Sequence, residues 1–125
     1  MMLIKEINNS MPLSEFEIKR YEIAKKNFLL KRRPHPSVRD KCDLDCRLNN
    51  QSVEIFELRP QWNNPEIINE YPLAKMTYSL DKKEWKIFSL GSNLKWKSYQ
   101  RQKSAKTIED VFSIIDCDET GIFFG

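Results

Sequence analysis

The chain has 125 residues, 40% of them hydrophobic and 31% charged, with 21 Lys and Arg against 18 Asp and Glu and a formal net charge of +3. That length holds one conventional core, and an aromatic content of 11% with only three glycines excludes an intrinsically disordered chain. No apolar run approaches the ~20 residues of a spanning helix and no leader pattern opens the chain, so the expectation is a cytoplasmic protein without membrane contact.

Residues 1–10 are polar and unpatterned, and Met11 offers a second start codon beside Met1, so residues 1–13 read as a tail ahead of a single domain, 14–125. Ser14 followed by Glu17 forms a capping box that predicts a helix from Glu15 to about Lys31, closed by the restriction Pro34 places on its predecessor. Its core stripe is Ile18, Tyr21, Ala24, Phe28 and Leu29. Phe16, Ile23 and Leu30 recur every seven residues on another side, which opens the possibility of a second contact surface or a homodimer.

After Pro36 the period changes to two. Lys41 to Leu48 and Ser52 to Arg59 flank Asn49-Asn50-Gln51 and read as a hairpin, with Val53 and Ile55 on the side of Cys42, Leu44, Cys46 and Leu48. That parity leaves Asp43 and Asp45 facing away from Glu57. Pro60 to Pro72 reads as a loop anchored by Trp62. Leu73 to Leu80, Trp85 to Leu90 and Leu94 to Gln100 then form an antiparallel meander. One face is predicted to carry Ala74, Met76, Tyr78, Leu80, Trp85, Ile87, Leu94 and Trp96. The other would carry Lys75, Thr77, Lys86, Phe88, Lys95, Lys97 and Tyr99. Thr107 and Asp110 resemble another cap, and Ile108, Val111, Phe112 and Ile115 form the stripe of a short closing helix. The expected fold is α+β: an N-terminal helix, an antiparallel sheet of about five strands in hairpin and meander order, and a short C-terminal helix.

Several motifs occur together in this order. Glu57-Leu58-Arg59-Pro60-Gln61-Trp62, Ala74-Lys75-Met76-Thr77-Tyr78, Trp85, Leu94-Lys95-Trp96 with Tyr99, and the terminal Phe123-Phe124-Gly125 resemble the bacterial domain of unknown function family 3024 (DUF3024). The likeness covers about Glu15 to Gly125 and departs at Phe124, where the family usually holds Trp. It implies a domain that stands alone and assigns no activity. Glu57, Arg59, Trp62, Trp85 and Trp96 are the motif residues read as structural.

The chemistry legible in the residues is limited. Cys42, Cys46 and Cys117 are an odd number of cysteines, fitting free thiols; Cys42 and Cys46 lie about 13 Å apart along a strand, too far for one tetrahedral metal. No metal or cofactor is expected. His35, the one histidine, sits between two prolines with no nucleophile-elbow pattern to serve. Asp116-Cys117-Asp118-Glu119-Thr120 matches the DxDxT of haloacid-dehalogenase-type phosphatases, but too near the end of the chain for that fold, and reads instead as an acidic helix end terminated at Gly121.

Three functional readings remain. Asp43, Asp45, Glu57 and Arg59 loosely resemble the carboxylate core of a metal-dependent nuclease, though an Arg59–Glu57 ion pair clamping Trp62 explains the same residues. The basic face offers a nucleic-acid platform from Lys75, Lys86, Phe88, Lys95, Lys97 and Tyr99, extended by Arg32, Arg33 and Arg39. A protein-interaction module through Phe16, Ile23 and Leu30 is the third. A small non-enzymatic binding protein leads, because residues 71–106 hold nine Lys and Arg against two acidic residues. The five acidic residues of 107–125 could fold back and neutralise that face.

Overall fold

The structure, a computed structural model, describes residues 13–125; the expectations for residues 1–12, including the choice between Met1 and Met11, lie outside the described residues. Helix α1 spans Glu15–Arg32, with the Ser14 hydroxyl accepting from the Glu17 amide at 3.1 Å as the cap requires. A single 3₁₀ turn, Pro36–Val38, follows, capped by the His35 ring, which accepts from the Ser37 amide. His35 thus has a local backbone role.

Strands β1 (Asp43–Asn49), β2 (Ser52–Gln61), β3 (Asn64–Ser79), β4 (Glu84–Leu90) and β5 (Trp96–Ser98) form an antiparallel sheet in that order, and a two-residue β6 (Ser104–Ala105) pairs with β4. The expected register of the first hairpin holds, with Leu48 opposite Val53 and Cys46 opposite Ile55. Residues directly opposite share a face, so one side of the sheet gathers Leu44, Cys46, Val53, Ile55, Ala74, Met76, Trp85 and Ile87, all buried.

Helix α2 (Ile108–Cys117), capped by Thr107 as expected, lies with α1 against that side. Tyr21, Ala24 and Phe28 of α1 and Ile108, Val111, Phe112 and Ile115 of α2 complete one core with the strand residues. The Phe28 and Phe112 rings meet at 4.9 Å between the helices. Leu13, read as the last residue of a tail, is buried in this core. Burying these side chains, each contributing about 1.5–3 kcal/mol, is what fixes both helices to one side of the sheet.

Four expectations are corrected here. Pro60 to Pro72 is not a loop: β2 continues to Gln61, turns through Trp62-Asn63, and β3 returns from Asn64. This two-stranded arm projects past both neighbours, since β1 reaches only to Leu58 and β4 only to Ala74. Prolines survive in such strands where an edge has no ladder to break. Trp62, far from anchoring anything, is 92% exposed at the tip. Leu80 and Leu94, assigned to the core face, are exposed in turns. The helix also ends differently: the left-handed residue after α2 is Asp118 (φ 47°), ahead of Gly121.

Candidate nucleic-acid interface

Because α1 and α2 both cover one face, the other carries no helix among the described residues, and its composition follows from the cross-strand register. One row runs Arg47, Glu54, Lys75, Phe88, Ser98 from β1 to β5; the next runs Ser52, Thr77, Lys86, Ser104. Leu90 stands opposite Trp96, which places Trp96 beside Phe88 on this open face. The Lys75 ammonium lies 5.9 Å from the centre of the Trp96 ring. Among the described residues, neither Lys75 nor Lys86 forms an ion pair.

Trp96 is the residue whose placement the sequence pattern inverted. Alternation within the strand is kept, but the turn from Gly91 to Lys95 resets its phase: the Gly91 amide donates to the Lys95 carbonyl, the Asn93 side chain accepts from the Lys95 amide, and Leu94 takes a left-handed φ of 61°. Trp96 and Ser98 therefore face outward. Lys97 stands opposite Ser89 on the helix-covered side, and Tyr99 is only 3% exposed, its ring 4.9 Å from that of Phe123. Tyr99 and Lys97 leave the platform for this reason, and Lys95 sits exposed in the turn.

Arg32 and Arg33 are also elsewhere. Arg32 donates to Asp116 and packs on Phe124, and Arg33 makes a bidentate pair with Asp43 at 2.8 Å for both bonds; Arg39 donates to the Pro34 carbonyl. All three are engaged around the end of α1 and the elements next to it, away from β3 to β5. The acidic C-terminal residues do not reach the open face: Glu109 meets Arg20, Asp116 meets Arg32 and Glu119 meets Arg101. The positive half of the sheet keeps its charge.

The β1–β2 half of the same face is different. Arg47 lies 4.5 Å over the Phe56 ring and holds Glu70 at 2.8 Å and Glu54 at 3.5 Å. The hydrogen bonds that Arg47 donates to Glu70 raise the Arg47 pKa and lower that of Glu70 in turn. Phe56, 5% exposed beneath this guanidinium, is buried outside the main core. Glu54 therefore marks the border of the basic patch, which extends from β3 to β5, roughly 10 Å across, a width for two or three nucleotides.

The carboxylate arrangement does not assemble a metal centre. Glu57 stands opposite Leu44 on the helix side, while Asp43 and Asp45 point to the other face and pair with Arg33 and Lys25. Glu57 pairs with Arg59 at 3.2 Å on that helix side, partly exposed to solvent, without clamping Trp62. Among the described residues, no three His, Cys, Asp or Glu side chains come together where they could hold a metal ion. Cys42, Cys46 and Cys117 are all free thiols, and burial pushes the Cys46 pKa up to about 12. The DxDxT stretch is structural: the Asp118 carboxylate accepts the amides of Phe123 (3.0 Å) and Phe124 (2.9 Å), folding the last residues back onto the core. Trp85 lies fully buried in the core.

The aromatic and basic motif residues of β3 to β5 and the clasped Phe123-Phe124 pair are the features a family comparison should find together. The family model described as domain of unknown function (DUF3024) matches residues 13–125. The chain belongs to the DUF3024 family. Neither a curated protein nor a solved structure matches it. Among the described residues, no helix is long and apolar enough to cross a membrane.

Proposed function

We propose that this protein binds single-stranded nucleic acid on the helix-free face of its sheet, without catalysing a reaction. Trp96 and Phe88 stack on bases, and Lys75 and Lys86 meet the phosphates. The observation that carries the reading is the placement of α1 and α2 on the opposite face, which leaves, among the described residues, two half-buried rings and two lysines without an ion pair on three adjacent strands. Half-buried rings keep a π-face available at little entropic cost, and stacking is worth about 1–3 kcal/mol per base. Three free thiols suit the reducing cytoplasm.

The test is titration of short oligouridylate and oligothymidylate against intrinsic tryptophan fluorescence. Binding should weaken with salt at a log–log slope of about −1.4, as expected for two phosphate contacts on a single strand. The pair Lys75→Glu and Lys86→Glu should abolish it. Absent or salt-independent binding would overturn the proposal.

A further inference from the structure

We infer that the outer edge of β1 is held shut against pairing with a second copy of this chain by Asp43 and Asp45, tethered across it to Arg33 and Lys25. Among the described residues β1 has β2 as its one strand neighbour, so half of its backbone groups point away from the sheet. Which half follows from the turn. Only Asn50 and Gln51 separate Asn49 from Ser52, so that pair exchanges hydrogen bonds across the hairpin, and bonding alternates from there. Leu44, Cys46 and Leu48 therefore turn their amides outward. Three successive amides of this parity are already engaged. That of Cys42, just ahead of the strand, donates to the Val38 carbonyl at 3.0 Å, that of Leu44 to the Asp43 carboxylate at 2.8 Å, and that of Cys46 to the Asp45 carboxylate at 2.7 Å.

The tethers cross the edge. Helix α1 lies on one side of the sheet while Asp43 and Asp45 belong by parity to the other, so an ion pair between them passes around the outside of β1. Arg33, the residue capping α1, donates to both Asp43 oxygens at 2.8 Å, and the Lys25 ammonium lies 3.4 Å from Asp45. An added strand would lie about 4.8 Å from β1, in the space these side chains take. The chain itself supplies a matching strand. A second β1, antiparallel about a two-fold axis at Cys46, opposes the outward-bonding residues, sets Leu44 against Leu48, and sets Asp45 against Arg47 twice. Moving the axis to Asp45 or to Arg47 brings like charges directly opposite, so charge selects the one register. This edge lies beyond β2 from the patch on β3 to β5, so its failure and that of the nucleic-acid reading are distinguishable.

Two variants of the full chain open the edge in different ways: Lys25→Ser with Arg33→Ser removes the tethers, and Asp43→Ala with Asp45→Ala removes the carboxylates. Both are compared with the native chain in reductant, so that the exposed Cys117 cannot link chains. Light scattering should give each variant twice the native mass. The amides of Leu44 and Cys46 should exchange at least tenfold more slowly at millimolar than at micromolar concentration, while those of the native chain show no such dependence. The amides of Val53 and Met76, paired inside the sheet, report in the same spectra that each variant is folded. Asp43→Asn with Asp45→Asn keeps an acceptor oxygen beside each amide and should stay at the native mass. Native mass with concentration-independent exchange in both variants overturns the inference. So does a doubled mass that leaves the Leu44 and Cys46 amides unaffected, or an asparagine pair that associates as strongly as the alanine pair.

Discussion

The guanidinium of Arg32 lies 4.0 Å from the centre of the Phe124 ring while its Nε donates to Asp116 at 2.8 Å. One side chain at the end of α1 thereby joins α2 and the terminal segment. Arg32→Ala removes a charge-assisted hydrogen bond and a cation–π contact at a site only about a third exposed, and should cost about 1–2 kcal/mol in urea denaturation. Arg32→Lys keeps the charge without the planar fork and should recover less than half of that. An unchanged midpoint in Arg32→Ala would show that the contact adds nothing.

Asp118 holds the same segment from the other side by accepting two consecutive backbone amides. Asp118→Ala should lose about 1–3 kcal/mol, because both amides lose their acceptor and alanine resists the left-handed conformation. Asp118→Asn tolerates that conformation and keeps one acceptor oxygen, so its loss should be smaller. Thermal melts of the two variants side by side check the order, and equal losses would assign the effect to charge alone.

Acid should destabilise the protein through its clasping ion pairs. The hydrogen bonds from Arg33 hold Asp43 below the usual carboxylate range, with the Leu44 amide acting in the same direction, and Arg20 does the same to Glu109. A carboxylate whose folded pKa is depressed binds fewer protons in the folded state than in the unfolded one. Its contribution is therefore present above the unfolded pKa and lost as the pH falls through the folded value. Melting temperature should drop as pH is lowered from about 5 toward 3, and Arg33→Gln should flatten part of that drop. Raising the salt concentration should shrink the effect at these mostly exposed pairs.

Trp96 and Tyr99 separate binding from folding, though they are three residues apart. Tyr99→Ala opens a cavity beside Phe123 and should cost about 3–4 kcal/mol of stability. Trp96→Ala should leave the melting temperature within a few degrees and weaken oligonucleotide affinity roughly ten- to hundredfold. The reverse pattern would return Tyr99 to the surface role its alternation suggested.

That pair also marks what could be read from the chain. Helix boundaries were legible because Ser14 and Thr107 are caps with a local mechanism, and the first hairpin's register was legible because only one parity gives Leu44, Cys46, Val53 and Ile55 a common face. The face of β5 was not, because it depends on how many residues a turn consumes. Leu94 sits in the left-handed region with no glycine to announce it. Lys75, Lys86 and Phe88 were placed correctly by alternation, since no turn intervenes within a strand. The arm was missed because three prolines signal a loop unless the strand is known to lack outer neighbours. The ties of Arg32 and Arg33 join residues on separate elements, and nothing local in the chain records them.

The contrast between neighbouring strands and distant helices sets an order of assembly. Each pair of the β1 to β5 meander closes over a short connection, whereas the bonds from Arg20 to Glu109 and from Arg32 to Asp116 span 89 and 84 residues. Loop closure of that length is expected to be the slow event, and it concerns only the helix layer. The open face is built wholly from the fast, local part. Hydrogen exchange should accordingly find the amides of the central rows of β2 and β3, Ser52 to Ile55 and Ala74 to Thr77, protected to the global unfolding limit. Those of α1 should open in a separate, shallower unit that sheds the helix and leaves the strand rows in register.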